Sequence, residues 1–191
     1  MVFLLSRMGR GTGIYYIDST PLAVCHNRRI GRHKVFADLA ARGKSSIGLF
    51  FGFKLHLVFN HERQIVALKL TPGNVSDTTP VPDLTQDLIG KLFGDKGYVG
   101  KELARRLLRR GLALMTRVRR NMKRLPGSFL DKALLNGRNI VETIIGHIKE
   151  FSALRLPKHR SAFNAFTHVV AAVVAYQIDP LPPKPIRAFV P

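Results

Sequence analysis

Cysteine is nearly absent. Cys25 is the single thiol in 191 residues. No internal disulfide can form and no cysteine zinc cluster can be built, and the chain suits a reducing cytosol. Long apolar runs are missing too. The best, Val169–Tyr176, falls far short of a bilayer span, and the apolar run in the opening MVFLLSRMGRG is too short for a signal peptide. A cytoplasmic protein without a membrane partner is expected. Acids are the third scarcity: 12 Asp+Glu face 31 Lys+Arg, a net charge of +19. That excess repels itself unless a polyanion neutralises it, and the usual polyanion is nucleic acid. A basic membrane-surface protein is disfavoured, because no long helix pairs a cationic face with a wide apolar one. Apolar residues are plentiful: at 46% hydrophobic and 23% charged the chain should be globular, with one core and one domain.

Periodicity supplies the elements. Residues 1–13 read as a lead-in. Residues 13–18 (GIYYID) read as a buried strand ending in an acid, with a turn at Ser19-Thr20-Pro21. Residues 22–47 are basic and irregular. Leu49–Asn60 alternates, with Phe53, Leu55, Leu57 and Phe59 on one face, and Gln64–Leu70 returns as a hairpin. Asp77 is placed to cap a helix reaching Ile89. Lys91–Gly94 is a short strand delivering Asp95. A helix over 98–110, with Val99, Leu103, Leu107 and Leu108 inward, stops at Gly111. Leu112–Thr116 is a strand, and helices follow over 138–152 and 162–178. The segment 179–191 holds five prolines in 13 residues and is expected to be a disordered tail. The order predicts an α/β protein with a mixed sheet flanked by helices, its core domain spanning 14–178.

In so basic a chain, an acid among small or apolar residues is seldom there for solubility. Three stand out: Asp18 and Asp95 at strand ends, and Glu142 in a late helix. Each has an ordinary reading of its own. Asp18 suits a turn, Asp95 a helix cap before Gly97, and Glu142 an i−4 partner for Arg138. Together they are what a pair of hard cations needs. Magnesium takes oxygen ligands and keeps much of its water, so a few carboxylates suffice. Two such ions can activate the attacking oxygen of a phosphodiester and stabilise the leaving one. At about 100° per residue, Arg138, Glu142 and Lys149 share one arc of the helix, beside the apolar arc of Ile140, Val141, Ile144, Ile145 and Ile148. Arg138 and Lys149 would then hold phosphate oxygens on either side of the acid.

The residues around these acids resemble the catalytic region of bacterial insertion-sequence transposases of the DDE superfamily, most closely the group called the nine-eighty-two family. The resemblance runs from about Tyr15 to Tyr176. It is carried by YIDSTPLAVCH around Asp18, GFKLHLV at 52–58, LTPGNVSD at 70–77, GKLFGDKGY around Asp95 and RNIVETIIGHIK around Glu142. It implies a ribonuclease-H-like fold and a two-metal site of Asp18, Asp95 and Glu142, taking Mg2+ with Mn2+ as a substitute. It also implies cleavage and strand transfer of double-stranded DNA, element ends and target alike, by a homo-oligomer. Related transposases carry a Tyr-Arg-Glu-Lys signature in the last helix. Arg138, Glu142 and Lys149 match it, and Leu135 stands in the tyrosine position. Family members have a further N-terminal region, whereas this chain starts 17 residues before Asp18. It is therefore expected to be the catalytic part alone.

Secondary candidates are fewer. Asn74 and Asp77 suit a turn and a helix cap, or a supporting role beside the metals. The cations at 105–110, and Arg117, Arg119, Arg120, Lys123 and Arg124, suit the DNA backbone or a solvated face. Cys25, His26 and His33 are too few, and wrongly spaced, for zinc. Thr12 and Ser19 have no base in a recognisable motif. Two other functions stay open: a non-catalytic basic nucleic-acid-binding protein or inactive remnant, and a hydrolytic nuclease of the same fold.

Overall fold

Thirteen residues, Gly48–Asn60, form the longest strand of a six-stranded sheet. The computed structural model describes residues 8–46, 48–116, 134–135, 139–152, 154 and 159–179. The strands are β1 (Ile14–Cys25), β2 (Ala41–Ser45), β3 (Gly48–Asn60), β4 (Ile65–Pro72), β5 (Gly90–Gly94) and β6 (Leu112–Thr116). The sheet runs β2-β3-β1-β5-β6, with β4 also paired to β3. β1, β2 and β4 lie antiparallel to β3, while β5 and β6 extend the sheet in parallel beyond β1. An antiparallel meander continued by parallel strands is the mixed α/β sheet the sequence predicts.

Alternation assigns the two faces. The helices α3 (Asn139–Phe151) and α4 (Ala162–Ile178) cover one of them. There Tyr16, Leu22, Leu55, Leu57, Phe59 and Phe93 pack with Val141, Ile144, Ile145 and Ile148. The opposite face joins Tyr15, Ile17, Val58 and Leu92 to α1 (Val81–Leu84) and α2 (Lys101–Leu108). Burying one such Leu, Ile or Phe contributes about 1.5–3 kcal/mol. A surface ion pair contributes about 0–1 kcal/mol. The apolar faces therefore dominate. α4 is fastened at its end: Gln177 Oε1 accepts from Ile65 N (2.7 Å), Gln177 Nε2 donates to Ile65 O (3.2 Å), and Tyr176 OH donates to Arg63 O (2.7 Å).

Several expectations are corrected. β1 does not end at Asp18 in a turn; it continues through Ser19-Thr20-Pro21 to Cys25, because β3 partners it as far as Cys25↔Phe51. Pro21 is tolerated because β5 has already ended beside it, so its missing N–H costs no ladder bond on that edge. The stretch 22–47 is not irregular throughout. It holds the end of β1, a 3-10 turn over Asn27–Arg32, and β2. The helix expected from Asp77 to Ile89 shrinks to α1, whose N-cap is Pro80, and Ile89 is exposed. The helix expected over 98–110 divides into a 3-10 turn, Lys96–Tyr98, and α2, with Leu108 exposed instead of inward. Gly111 does end it, at φ +80°. The segments 117–124 and 180–191 lie outside the described residues, as does Arg138. Among the described residues no helix is long and apolar enough to cross a membrane.

Candidate active site

β1 and β5 run in parallel with Ile14↔Lys91, Tyr15↔Leu92 and Tyr16↔Phe93 as partners. Two residues further along the same register stand Asp18 and Asp95. Asp95 keeps an extended backbone (φ −77°, ψ 175°) after β5. The 3-10 turn over Lys96–Tyr98 then carries the chain away, anchored by buried Tyr98. Strand alternation puts Asp18 on the face of Tyr16 and Leu22, the one that α3 and α4 cover. Both aspartates are half-buried. Ser19 N donates to Asp18 Oδ1 at 2.9 Å.

Glu142 is exposed on α3, beside buried Val141, Ile144 and Ile145. Further along, Lys149 Nζ donates to Pro21 O at 2.9 Å. Leu154, beyond the helix, lines a small apolar cavity with Leu22, Ala23 and Val24. Lys149 thus ties α3 to β1, and Glu142 lies two turns before Lys149 on the same helix. Among the described residues, no three His, Cys, Asp or Glu groups form a ready cage for a metal. Asp18 and Asp95 follow the paired register of β1 and β5, and Glu142 is carried by α3, which packs over that face. The donor set is nonetheless all hard oxygen. Magnesium keeps several waters and needs one or two protein carboxylates, so Asp18 and Asp95 fit that ion.

The family model for the Transposase DDE domain matches residues 8–162. The chain belongs to this DDE transposase family. A piggyBac transposase, solved by cryo-EM as a synaptic complex with hairpin DNA, is similar at TM-score 0.56 and 10% identity. The match covers 88% of this chain and 47% of that one, so the transposase domain spans about half the length of that relative. Likeness at this identity shows the fold, and the fold is ribonuclease-H-like, as expected. No curated protein matches in sequence.

The other predicted residues of the DDE domain fall in different places. Lys149, expected to meet phosphate, bonds a backbone carbonyl of β1. Leu135 packs against the core under α3. Arg138, Arg117, Arg119, Arg120, Lys123 and Arg124 lie outside the described residues. Asn74 is exposed in its turn. Asp77 is no helix cap: its Oδ1 accepts from Ser19 Oγ (2.8 Å) and from Lys54 Nζ (3.0 Å). In the cluster at 105–110, Arg105 and Arg109 lean on Glu102. Arg110 instead donates to Pro82 O, Thr85 O and Thr85 Oγ1, each at 3.0 Å, and so ties α2 to α1.

Sequence reasoning missed the polar group on the face opposite Asp18. Ser19 and His56 are cross-strand partners, as are Pro21 and Lys54. His56 is fully buried, and its Nε2 lies 2.9 Å from Thr71 Oγ1. Burial chiefly, then nearby Lys54 and Lys69, lowers its pKa to about 4, against the opposing pull of Asp77. The signal was present: Lys54 and His56 are the polar positions in the middle of an otherwise apolar strand.

Proposed function

We propose that this DDE domain is the catalytic part of an insertion-sequence transposase that cleaves double-stranded DNA and joins the freed strand to a target. The observation that supports the reading is the parallel β1–β5 register, which, continued two residues past Tyr16↔Phe93, would bring Asp18 beside Asp95 on the face over which the Glu142 helix packs. Asp18 and Asp95 would hold the first magnesium ion, and Glu142 would complete the site for a second. When bound, the ions supply charge stabilisation for the phosphodiester exchange. The chain's own residues do the positioning. The Ser19 amide orients the Asp18 carboxylate. The Lys149–Pro21 bond ties α3, the helix that carries Glu142, to β1. The buried apolar floor of Tyr16, Phe93 and Ile144 excludes water from beneath the site. The +19 charge supports DNA as partner.

The competing reading is a basic DNA-binding chain without chemistry, which the +19 charge by itself equally supports. Magnesium titration on supercoiled plasmid separates the two. The proposal expects nicking that needs Mg2+ or Mn2+ and disappears in Asp95→Asn. Metal-independent binding with no nicking at any concentration supports the competing reading. Sequencing the products for joined strands tells a transposase from a hydrolytic nuclease.

A further inference from the structure

We propose that residues 27–45, the 3-10 turn and β2, form a cationic platform that holds the phosphate backbone of the duplex flanking Asp18 and Asp95. The inference rests on the DNA-acting reading above and adds a surface to it. The segment carries Arg28, Arg29, Arg32, Lys34, Arg42 and Lys44 against a single acid, Asp38. All six cations are exposed, and among the described residues none of them meets a carboxylate. The exposed arginines of α2 differ, since Arg105 and Arg109 share Glu102.

The platform is built rigidly. Phe36 is buried edge-on against Phe53 and Phe166. The His33 ring stacks on Phe36 at 5.5 Å. Asn27 Nδ2 donates to Leu49 O at 2.8 Å, tying the turn to β3. β2 is paired with β3 along its length. With the backbone fixed in advance, cations lose less freedom on meeting a ligand. His26, Asn27, Arg28 and Arg29 line an open depression of about 540 Å³.

Position supplies the direction. Phe53 pairs with Leu22 and so lies on the face of Asp18, which places the Phe36 segment on that face. β1 runs from Asp18 to Cys25, directly before the turn, a span of about 23 Å at 3.3 Å per residue. That is about seven base pairs of duplex at 3.4 Å each. DNA engaged at the aspartates and passing outside α3 and α4 in the direction of Cys25 reaches the arginines within one helical turn. A second copy of the chain is a poor occupant, because it brings the same positive charge.

The test is fluorescence anisotropy on the full chain carrying Asp18→Asn, without metal, using a 30-base-pair duplex of shuffled sequence at several salt concentrations. Failure of catalysis therefore leaves this measurement intact. R28A/R29A/R32A should weaken binding about tenfold at low salt and flatten the log–log salt slope by about 2–3, at about 0.9 per phosphate contact. R28K/R29K/R32K should keep most of the binding. R105A/R106A/R109A, with the same charge loss on α2, should change the slope less. Extending the duplex from about 6 to about 14 base pairs should favour the parent chain more than the triple alanine variant. If R28A/R29A/R32A lowers the melting temperature, Arg28→Glu alone should still flatten the slope. Equal losses in the two alanine triples, unchanged binding, or loss confined to single strands would each overturn the platform. So would a shift from dimer to monomer with DNA affinity intact.

Discussion

On the face covered by α3 and α4, Asp18 and Asp95 sit half-buried at the margin of an apolar floor, and Glu142 is exposed on α3. On the opposite face Ser19, Lys54 and Asp77 close on one another, and His56 lies beside Thr71. Asp18 and Ser19 are adjacent in the chain, yet alternation sends them to different faces and different tasks. Asp77 shows what the difference teaches. It carries the same carboxylate as Asp18, but an ammonium and a hydroxyl already engage it, so its charge holds the 73–80 loop to β1 and β3.

The comparison breaks most visibly at Asp18. Asp18→Asn should lower metal-dependent nicking by about a thousandfold, since a bound divalent ion contributes several kcal/mol to the transition state and each 1.36 kcal/mol is tenfold. Its melting curve should match the parent's. Nicking within a few-fold of the parent would place the chemistry elsewhere.

The opposite face should respond in stability and to pH. The folded-state pKa of His56, about 4, lies below its ordinary 6.5, so the unfolded chain binds a proton that the folded one refuses. Stability is therefore fully present above pH 6.5 and falls as pH drops toward 4, by about 3 kcal/mol from this group. Urea unfolding across that range should show the fall, and His56→Gln should flatten it. An unchanged slope in His56→Gln would assign the effect to other groups.

Asp77→Ala strips acceptors from the half-buried Lys54 ammonium and from the Ser19 hydroxyl. It should cost about 1–3 kcal/mol of unfolding free energy. Metal-dependent nicking by the folded fraction should fall far less than in Asp18→Asn. A loss of activity as deep as that of Asp18→Asn, without a stability cost, would return Asp77 to the active site. The smallest effect belongs to Glu102→Ala. Its contacts with Arg105 and Arg109 are 3.9 and 3.8 Å long and solvent-exposed, so thermal melts should not separate it from the parent.

Local pattern alone located β3, β5, β6 and α4, because alternation and helical spacing are written in consecutive residues. The three acids stood out in the sequence, since a carboxylate among apolar neighbours in a +19 chain is conspicuous. What tertiary structure decided was partnership. β1 outruns Asp18 because β3, some thirty residues later, offers a continuous edge that overrides the turn chemistry of Ser19-Thr20-Pro21. The parallel register of β1 and β5 carries on toward Asp18 and Asp95, and nothing local encodes a pairing across 77 positions. Lys54 and Ser19 draw Asp77 out of its expected cap, and the carbonyls of α1 draw Arg110 out of the cationic cluster. Periodicity reports which way a side chain faces; whom it meets depends on contacts between elements far apart in the chain.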